Sequence, residues 1–258
     1  MIKLSHSGLT LVWFLVWCSS IETAAVLPLD ALPVIHCPSR YFQTNQLEAV
    51  KLAAGEAQRT LFHGVNALND DPPSPLVEPF WKTADPKQAA DVMYRVAAVD
   101  QLPTTYQVIC INTEEDANQY HNRLVDSCRL STKGIVHFGN EPVQQVPAST
   151  IFICPSFWNR IPEPRKKRRP DRRICPQVVT QVNEYQNPER YSPWLFDTQA
   201  TTMMIAALDV FGGKMFSKVE SRVDLNNLLR LPPTAALETQ ESYYAFAICE
   251  FLSWLHTL

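Results

Sequence analysis

Glycine is scarce in this chain of 258 residues, which has 7 glycines against 20 prolines. It contains no glycine-rich phosphate loop, which argues against a nucleotide-binding enzyme built on that motif. It also shows no internal repeat and no Asn-x-Ser/Thr sequon, so we expect neither a solenoid nor a coat of N-linked glycans. Histidine is absent between His137 and His256. Residues 138–255 therefore offer no histidine pair for a catalytic metal.

Long hydrophobic runs are also missing, apart from one at the N-terminus. There Lys3 precedes an apolar run from Leu9 to Cys18, and the small residues Ser20, Ala24 and Ala25 follow. This pattern is typical of a secretory signal peptide, because the run is too short to cross a bilayer. We expect residues 1–25 to be removed and the protein to be secreted and extracellular, with no membrane span. A short membrane anchor is the alternative.

The remaining residues, 26–258, are enough for one domain with a single core. Apolar residues recur every three or four positions between Thr44 and Leu68, which predicts a helix capped by Thr44 or Asn45. The stretches TYQVICI, GIVHF and STIFIC are short and rich in β-branched residues, which predicts strands. Further helices are predicted at 86–99, 194–211, 224–231 and 234–255, and a short one within 112–127. Strands grouped between helices indicate the α+β class, with helices flanking a small central sheet.

Cysteine usage supports export. Seven cysteines are present, and Cys18 lies in the predicted signal peptide. The other six would form up to three disulfides in an oxidising compartment, with 15 pairings available; they are Cys37, Cys110, Cys128, Cys154, Cys175 and Cys249. Spacing along the chain favours Cys110 with Cys128 and Cys154 with Cys175, which leaves Cys37 for Cys249.

One segment is strongly basic, although the formal net charge of the chain is −3. A predicted loop at 155–174 contains PRKKRRPDRR, with one acidic residue and seven basic ones: Arg165, Lys166, Lys167, Arg168, Arg169, Arg172 and Arg173. Three interpretations remain open. The loop is a solvated insertion, a dibasic processing site in the secretory pathway, or a contact for an anionic partner that salt would weaken.

Several motifs together resemble a protease family. The Cys110 to Cys128 loop, the segment ASTIFICPSFW, an apolar helix after a long loop, and AALETQESYYAFAICEFL near the end follow one another in this order. In this order they resemble the secreted fungal relatives of deuterolysin and peptidyl-Lys metallopeptidase. The resemblance implies a zincin-like metallopeptidase scaffold for the domain.

The resemblance also implies a zinc helix, and the matching residues here cannot hold zinc. In that family a His-Glu-x-x-His helix supplies two ligands and a general base on one face. The five matching residues are Ile205, Ala206, Ala207, Leu208 and Asp209. Ile205 and Asp209 replace the histidines and Ala206 replaces the glutamate, so we expect no metal, no cofactor and no catalytic residue. An ordinary core helix is the alternative.

These observations favour a non-catalytic protein, and we expect a fungal effector that binds a host or extracellular protein, for example to inhibit a protease. A different hypothesis is an active secreted hydrolase, a peptidase or a ribonuclease. It would use His121 and His137 with Glu114, Glu115 or Asp116, since paired histidines and acids perform general acid and base chemistry. A structural cell-wall protein is a third hypothesis, which no repeat supports.

Overall fold

We describe a computed structural model of the chain. The chain divides into a short unit, Met1–Ala31, and a main unit, Leu32–Leu258. The structure describes residues 34–39, 45–97, 107–120, 123–138, 150–159, 198–212, 216 and 225–255. The predicted signal peptide, His121, Cys175 and the basic residues 165–173 lie outside these ranges. No helix in the described ranges has the length and apolar character needed to cross a bilayer.

Helices make up most of the described residues, as the periodicity predicts. They are α1 (Gln46–Asn69), α2 (Val77–Trp81), α3 (Pro86–Ala97), α4 (Glu114–Tyr120), α5 (Leu124–Leu130), α6 (Gln199–Gly212), α7 (Leu225–Arg230), α8 (Pro233–Leu237) and α9 (Gln240–Leu255). Asn45 caps α1, since its side-chain oxygen accepts a hydrogen bond from the backbone N–H of Glu48 at 3.2 Å. The core forms where α1, α3, α6 and α9 pack together.

A small sheet of four strands lies beside these helices. Its strands are β1 (Val34–His36), β2 (Gln107–Cys110), β3 (Ile135–Val136) and β4 (Thr150–Ile153), in the order β1-β2-β4-β3. β1 and β4 pair with β2 in parallel, and β3 pairs with β4 antiparallel. The mixed α+β class with a small central sheet is therefore confirmed.

The two faces of the sheet pack against different groups of residues. Val108 and Ile151 face the helical core, whereas Ile109 and Phe152 belong to a smaller cluster with residues of α4 and α5. This alternation is the period of two that a strand imposes on its side chains. It explains why both strands consist almost entirely of apolar residues.

The disulfides correct the pairing that chain spacing suggested. Cys37 bonds to Cys110, and Cys128 bonds to Cys154, with Cα atoms 4.9 Å and 5.3 Å apart respectively. The predicted pairs Cys110–Cys128, Cys154–Cys175 and Cys37–Cys249 are therefore wrong. β1 and β2 are parallel, and His36 is paired with Ile109. Cys37 and Cys110 directly follow this pair, so the pairing of the strands, which chain spacing does not reveal, brings the two cysteines together. Cys249 is also disulfide-bonded.

Several element boundaries differ from the prediction. The helix predicted at 234–255 is two helices, α8 and α9, separated at Glu238 and Thr239, and the Thr239 hydroxyl donates to the Ala235 carbonyl at 2.6 Å across the end of α8. The stretch 112–127 contributes to two helices rather than one. β1 and α2 have no counterpart in the prediction, since both are too short for a periodic signal.

Candidate functional site

The helix in the position of the expected zinc helix is α6, and most of it is core. Thr198 precedes it and forms a reciprocal cap with Thr201, whose backbone N–H donates to the Thr198 hydroxyl oxygen at 3.1 Å. Met203, Met204 and Leu208 are fully buried or nearly so. α6 packs against α1, α3 and α9 on its helical side and against β3 and β4 on the other. The mainly apolar composition of α6 follows from this burial.

The residues that match the zinc motif do not converge on a metal site. Ile205 and Ala206 are buried in the helical core, where Ile205 retains 8% of its accessible surface and Ala206 retains 1%. Asp209, four residues after Ile205, is the exposed one. Within the residues that the structure describes, no three histidine, cysteine, aspartate or glutamate side chains lie close enough together to hold a metal ion.

A charged cluster surrounds Asp209, and we call it the Asp209 cluster. It consists of Asp209 on α6, Gln240 and Glu241 at the start of α9, and Lys133 from the loop before β3. The Gln240 amide donates to the Ile205 carbonyl at 2.8 Å and also bonds the Asp209 carboxylate. One glutamine side chain therefore joins the start of α9 to the second half of α6.

Lys133 reaches the cluster because of a tight turn. The Ser131 hydroxyl donates to the Ile135 carbonyl at 2.7 Å and accepts from the N–H groups of Gly134 and Ile135. Gly134 has a φ of +74°, a conformation that favours glycine. It also lies against Phe157, so that a Cβ at Gly134 would be 2.2 Å from the Phe157 nitrogen. The turn is thus fixed on both sides and presents Lys133 to solvent.

The electrostatics of the cluster follow from crowding and from the charge of Lys133. Burial raises the pKa of Asp209, while the charge of Lys133 and the hydrogen bond from Gln240 oppose that rise. The Asp209 side chain keeps substantial contact with solvent, which screens its charge. Burial likewise raises the pKa of Glu241; its own backbone hydrogen bond and Lys133 lower it, and Asp209 raises it. Two carboxyl groups thus share one lysine.

The acid residues proposed for a second active site have structural partners. The Asp116 carboxylate accepts from the N–H groups of Asn112 and Thr113, each at 3.0 Å, which caps the start of α4. Glu114 lies 4.0 Å from Arg129 at the surface. His137 is half-buried just after β3, and His121 lies outside the described residues. The histidine pair of the hydrolase hypothesis therefore stays a prediction.

Sequence reasoning identified one member of the Asp209 cluster and missed three. Asp209 came from alignment with the zinc motif. Gln240 and Glu241 lie in the segment that carries the family resemblance, but nothing in their spacing links them to α6. Lys133 has no sequence signal apart from the glycine that follows it. Comparison of the chain with known protein families, with characterised proteins and with solved structures finds no match.

Proposed function

We propose that this protein is a secreted, non-catalytic relative of the deuterolysin-type metallopeptidases. In this proposal it is a fungal effector that binds a host or extracellular protein, for example to inhibit a protease. The observation that carries the proposal is the character of α6. At the two positions of the zinc histidines it has a buried isoleucine and an exposed aspartate, and at the general base it has a buried alanine.

The order of elements supports the scaffold part of the proposal. β4 ends at Ile153, directly before the segment Cys154-Pro155-Ser156-Phe157-Trp158 that resembles the family. The next described helix is α6, and it packs against β3 and β4. A strand that leads into this motif and then an apolar helix is the arrangement that the resemblance implies.

The surface beside α6 has features that suit protein binding. β3 is an edge strand of the described sheet, and an edge strand offers backbone groups to an extended segment of a partner. The loop that leads into β3 contributes Lys133 to the Asp209 cluster, so the charged side chains lie near the start of this edge. A partner segment that pairs with β3 would place a basic side chain near Asp209 and Glu241, where two carboxylates meet one lysine.

The secretory context also supports an extracellular partner. Cys37, Cys110, Cys128 and Cys154 form two disulfides, and Cys249 is disulfide-bonded as well. Disulfides persist mainly in oxidising compartments. Together with the signal-peptide pattern of residues 1–25, they favour an extracellular setting in which the protein meets host or secreted proteins.

The test compares wild-type protein with the D209K/E241K variant. Oxidised protein is mixed with extracellular fluid, and both captured partners and residual peptidase activity of the fluid are measured. We expect wild-type protein to retain a partner and D209K/E241K to lose it at least tenfold. The matched control is D91K, which changes an exposed aspartate on α3 that belongs to neither candidate site.

Two outcomes would contradict the proposal. Equal partner binding by wild-type protein and D209K/E241K would remove the Asp209 cluster from the binding surface. Peptidase activity of the purified protein itself, abolished by a metal chelator, would replace the non-catalytic function with an enzymatic one.

A further inference from the structure

A buried acid, Glu250, lies outside the Asp209 cluster, in the second half of α9. Glu250 keeps 9% of its accessible surface. Its carboxylate accepts a hydrogen bond from the Ser74 hydroxyl, which lies 176 positions earlier in the chain. This bond connects α9 to the loop between α1 and α2. We call the pair the Ser74–Glu250 latch.

Ser74 holds the loop together as well as contacting α9. Its hydroxyl oxygen accepts from the N–H of Leu76 at 3.2 Å, and its carbonyl accepts from the N–H of Val77 at 3.0 Å. Its own N–H donates to the Ala67 carbonyl at 3.3 Å, which returns the chain to the end of α1. Glu250 therefore contacts the residue on which the loop is organised.

The loop leads directly into the aromatic part of the core. Phe80 and Trp81 on α2 are buried and pack on α9, with ring centroids 5.5 Å apart for Phe80 and Phe246 and 4.9 Å apart for Trp81 and Tyr243. An opening of the latch would release the loop that positions this pair. The latch is thus placed to govern how firmly α2 docks on α9.

Glu250 has no cation partner among the ion pairs that involve the described residues. The charged group that acts on it is Asp70, at the end of α1, which is also an acid. On α1, one turn before Asn66, His63 lies against the ring of Phe251, and Arg59 acts on that histidine.

The other described helices that pack on α9 bring no ion-pair partner for Glu250 either. α2 carries the exposed Glu78, and Lys82, which follows α2, donates to the Leu231 carbonyl at 2.6 Å. α6 has one charged residue, Asp209, which belongs to the cluster at the start of α9. α7 has Arg230, which is exposed, and α8 has no charged residue. α9 itself has no basic residue. Among the described residues, an ionised Glu250 is therefore a buried negative charge whose hydrogen-bond partner is the neutral Ser74 hydroxyl.

We propose that the Ser74–Glu250 latch is proton-controlled and holds the loop from Asp70 to Leu76 against α9 more firmly in acid than at neutral pH. The protonated acid fits the buried site without a charge, and the ionised acid favours an opened state in which water reaches it. The folded protein therefore binds a proton at Glu250 more readily than the unfolded chain does. An extracellular medium of low pH would tighten α2 on α9, and a neutral medium would loosen it.

The direction of the pH dependence follows from the shift in the pKa of Glu250. Burial raises the pKa of Glu250, the Ser74 hydrogen bond lowers it, and Asp70 raises it. In the unfolded chain the pKa returns to about 4.3. The stabilisation is complete below that value and is lost as the pH rises through the higher folded value. At a pH well above the folded pKa, each unit by which the folded pKa exceeds the unfolded pKa changes the folding equilibrium constant about tenfold.

The experiment measures urea unfolding of the oxidised protein between pH 4 and 8 for wild type, E250Q and S74A. Glutamine cannot ionise, so we expect E250Q to exceed wild type in stability at pH 8. The two should converge near pH 4. Removal of the Ser74 hydroxyl should move the loss of stability to higher pH, since that bond favours the ionised acid. A merely structural role would not move this midpoint.

The matched control is E238Q, which changes an exposed glutamate at the end of α8 and should follow the wild-type profile. Hydrogen exchange of the segment 70–81, corrected for its intrinsic pH dependence, should show protection that falls from pH 5 to pH 8 in wild type and stays level in E250Q. Identical pH profiles of wild type and E250Q would overturn the proposal. A midpoint that is the same in S74A and wild type would also overturn it.

Discussion

The two ends of α9 place the same chemical group in opposite surroundings. At its start, Glu241 is half-buried beside Asp209, with Lys133 to offset their charges. Further along, Glu250 is buried beside a serine and another acid. Burial raises the pKa of the carboxyl group in both places, but Glu241 and Asp209 keep contact with solvent, whereas Glu250 faces the core. The same chemical group is therefore a surface charge in one place and a buried acid in the other.

The largest effect is expected from the aromatic core residues on α2, which directly follow the loop that contains Ser74. Trp81 is fully buried against Tyr243 and Phe246. The W81A variant should lose about 4 kcal/mol of unfolding free energy in urea, since it removes a large buried ring. L52A, which shortens a leucine with 57% of its surface exposed, should stay within about 0.5 kcal/mol of wild type. A loss below about 1 kcal/mol in W81A would show that α2 is not docked on α9.

The second-largest effect is expected at the turn before β3 that carries Lys133. G134A should cost about 3 kcal/mol, because it adds a Cβ to a residue with positive φ and drives it into the backbone of Phe157. G55A is the matched control, since Gly55 lies inside α1 with no atom within 4 Å of the new Cβ. It should gain about 0.5–1 kcal/mol from helix propensity. Similar unfolding free energies for the two variants would refute this account of the turn.

The smallest effect is expected at the Asp209 cluster itself. Because burial raises the pKa of Asp209 and of Glu241, the stability that they contribute is present in acid and is lost as the pH rises through their folded values. D209N/E241Q should therefore be slightly more stable than wild type at pH 8, by less than about 1 kcal/mol, because these groups remain partly solvated. K133A should be less stable than wild type at pH 8, and added salt should reduce that difference. A double variant that is less stable than wild type at pH 8 would reverse the sign assigned here.

Much of the fold follows from local sequence pattern. The long helix α1 follows from apolar residues at helical spacing and a capping asparagine, and β2 and β4 follow from runs of β-branched residues between polar turns. The disulfide pairing, which depends on which distant residues meet, was predicted wrongly. Cys37 and Cys110 pair because two strands lie parallel and in register, and no count of intervening residues contains that information.

The candidate site divides in the same way. The loss of the zinc ligands is visible at Ile205, Ala206 and Asp209 in the sequence alone. The convergence of Asp209, Glu241 and Lys133 depends on how α6, α9 and the turn before β3 pack. Ser74 and Glu250 were invisible for the same reason, since a serine in a proline-rich stretch and a glutamate in an apolar helix carry no mutual signal.

The two described disulfides also determine which pieces of a cut chain stay joined. The first closes a loop from residue 37 to 110 and the second a loop from 128 to 154. A peptide bond cut inside either loop would leave one covalent molecule that separates into fragments only after reduction. The basic segment at 165–173 follows both loops. Neither of these two bonds would hold together the pieces of a chain cut there, whereas each holds together the pieces of a chain cut inside its own loop.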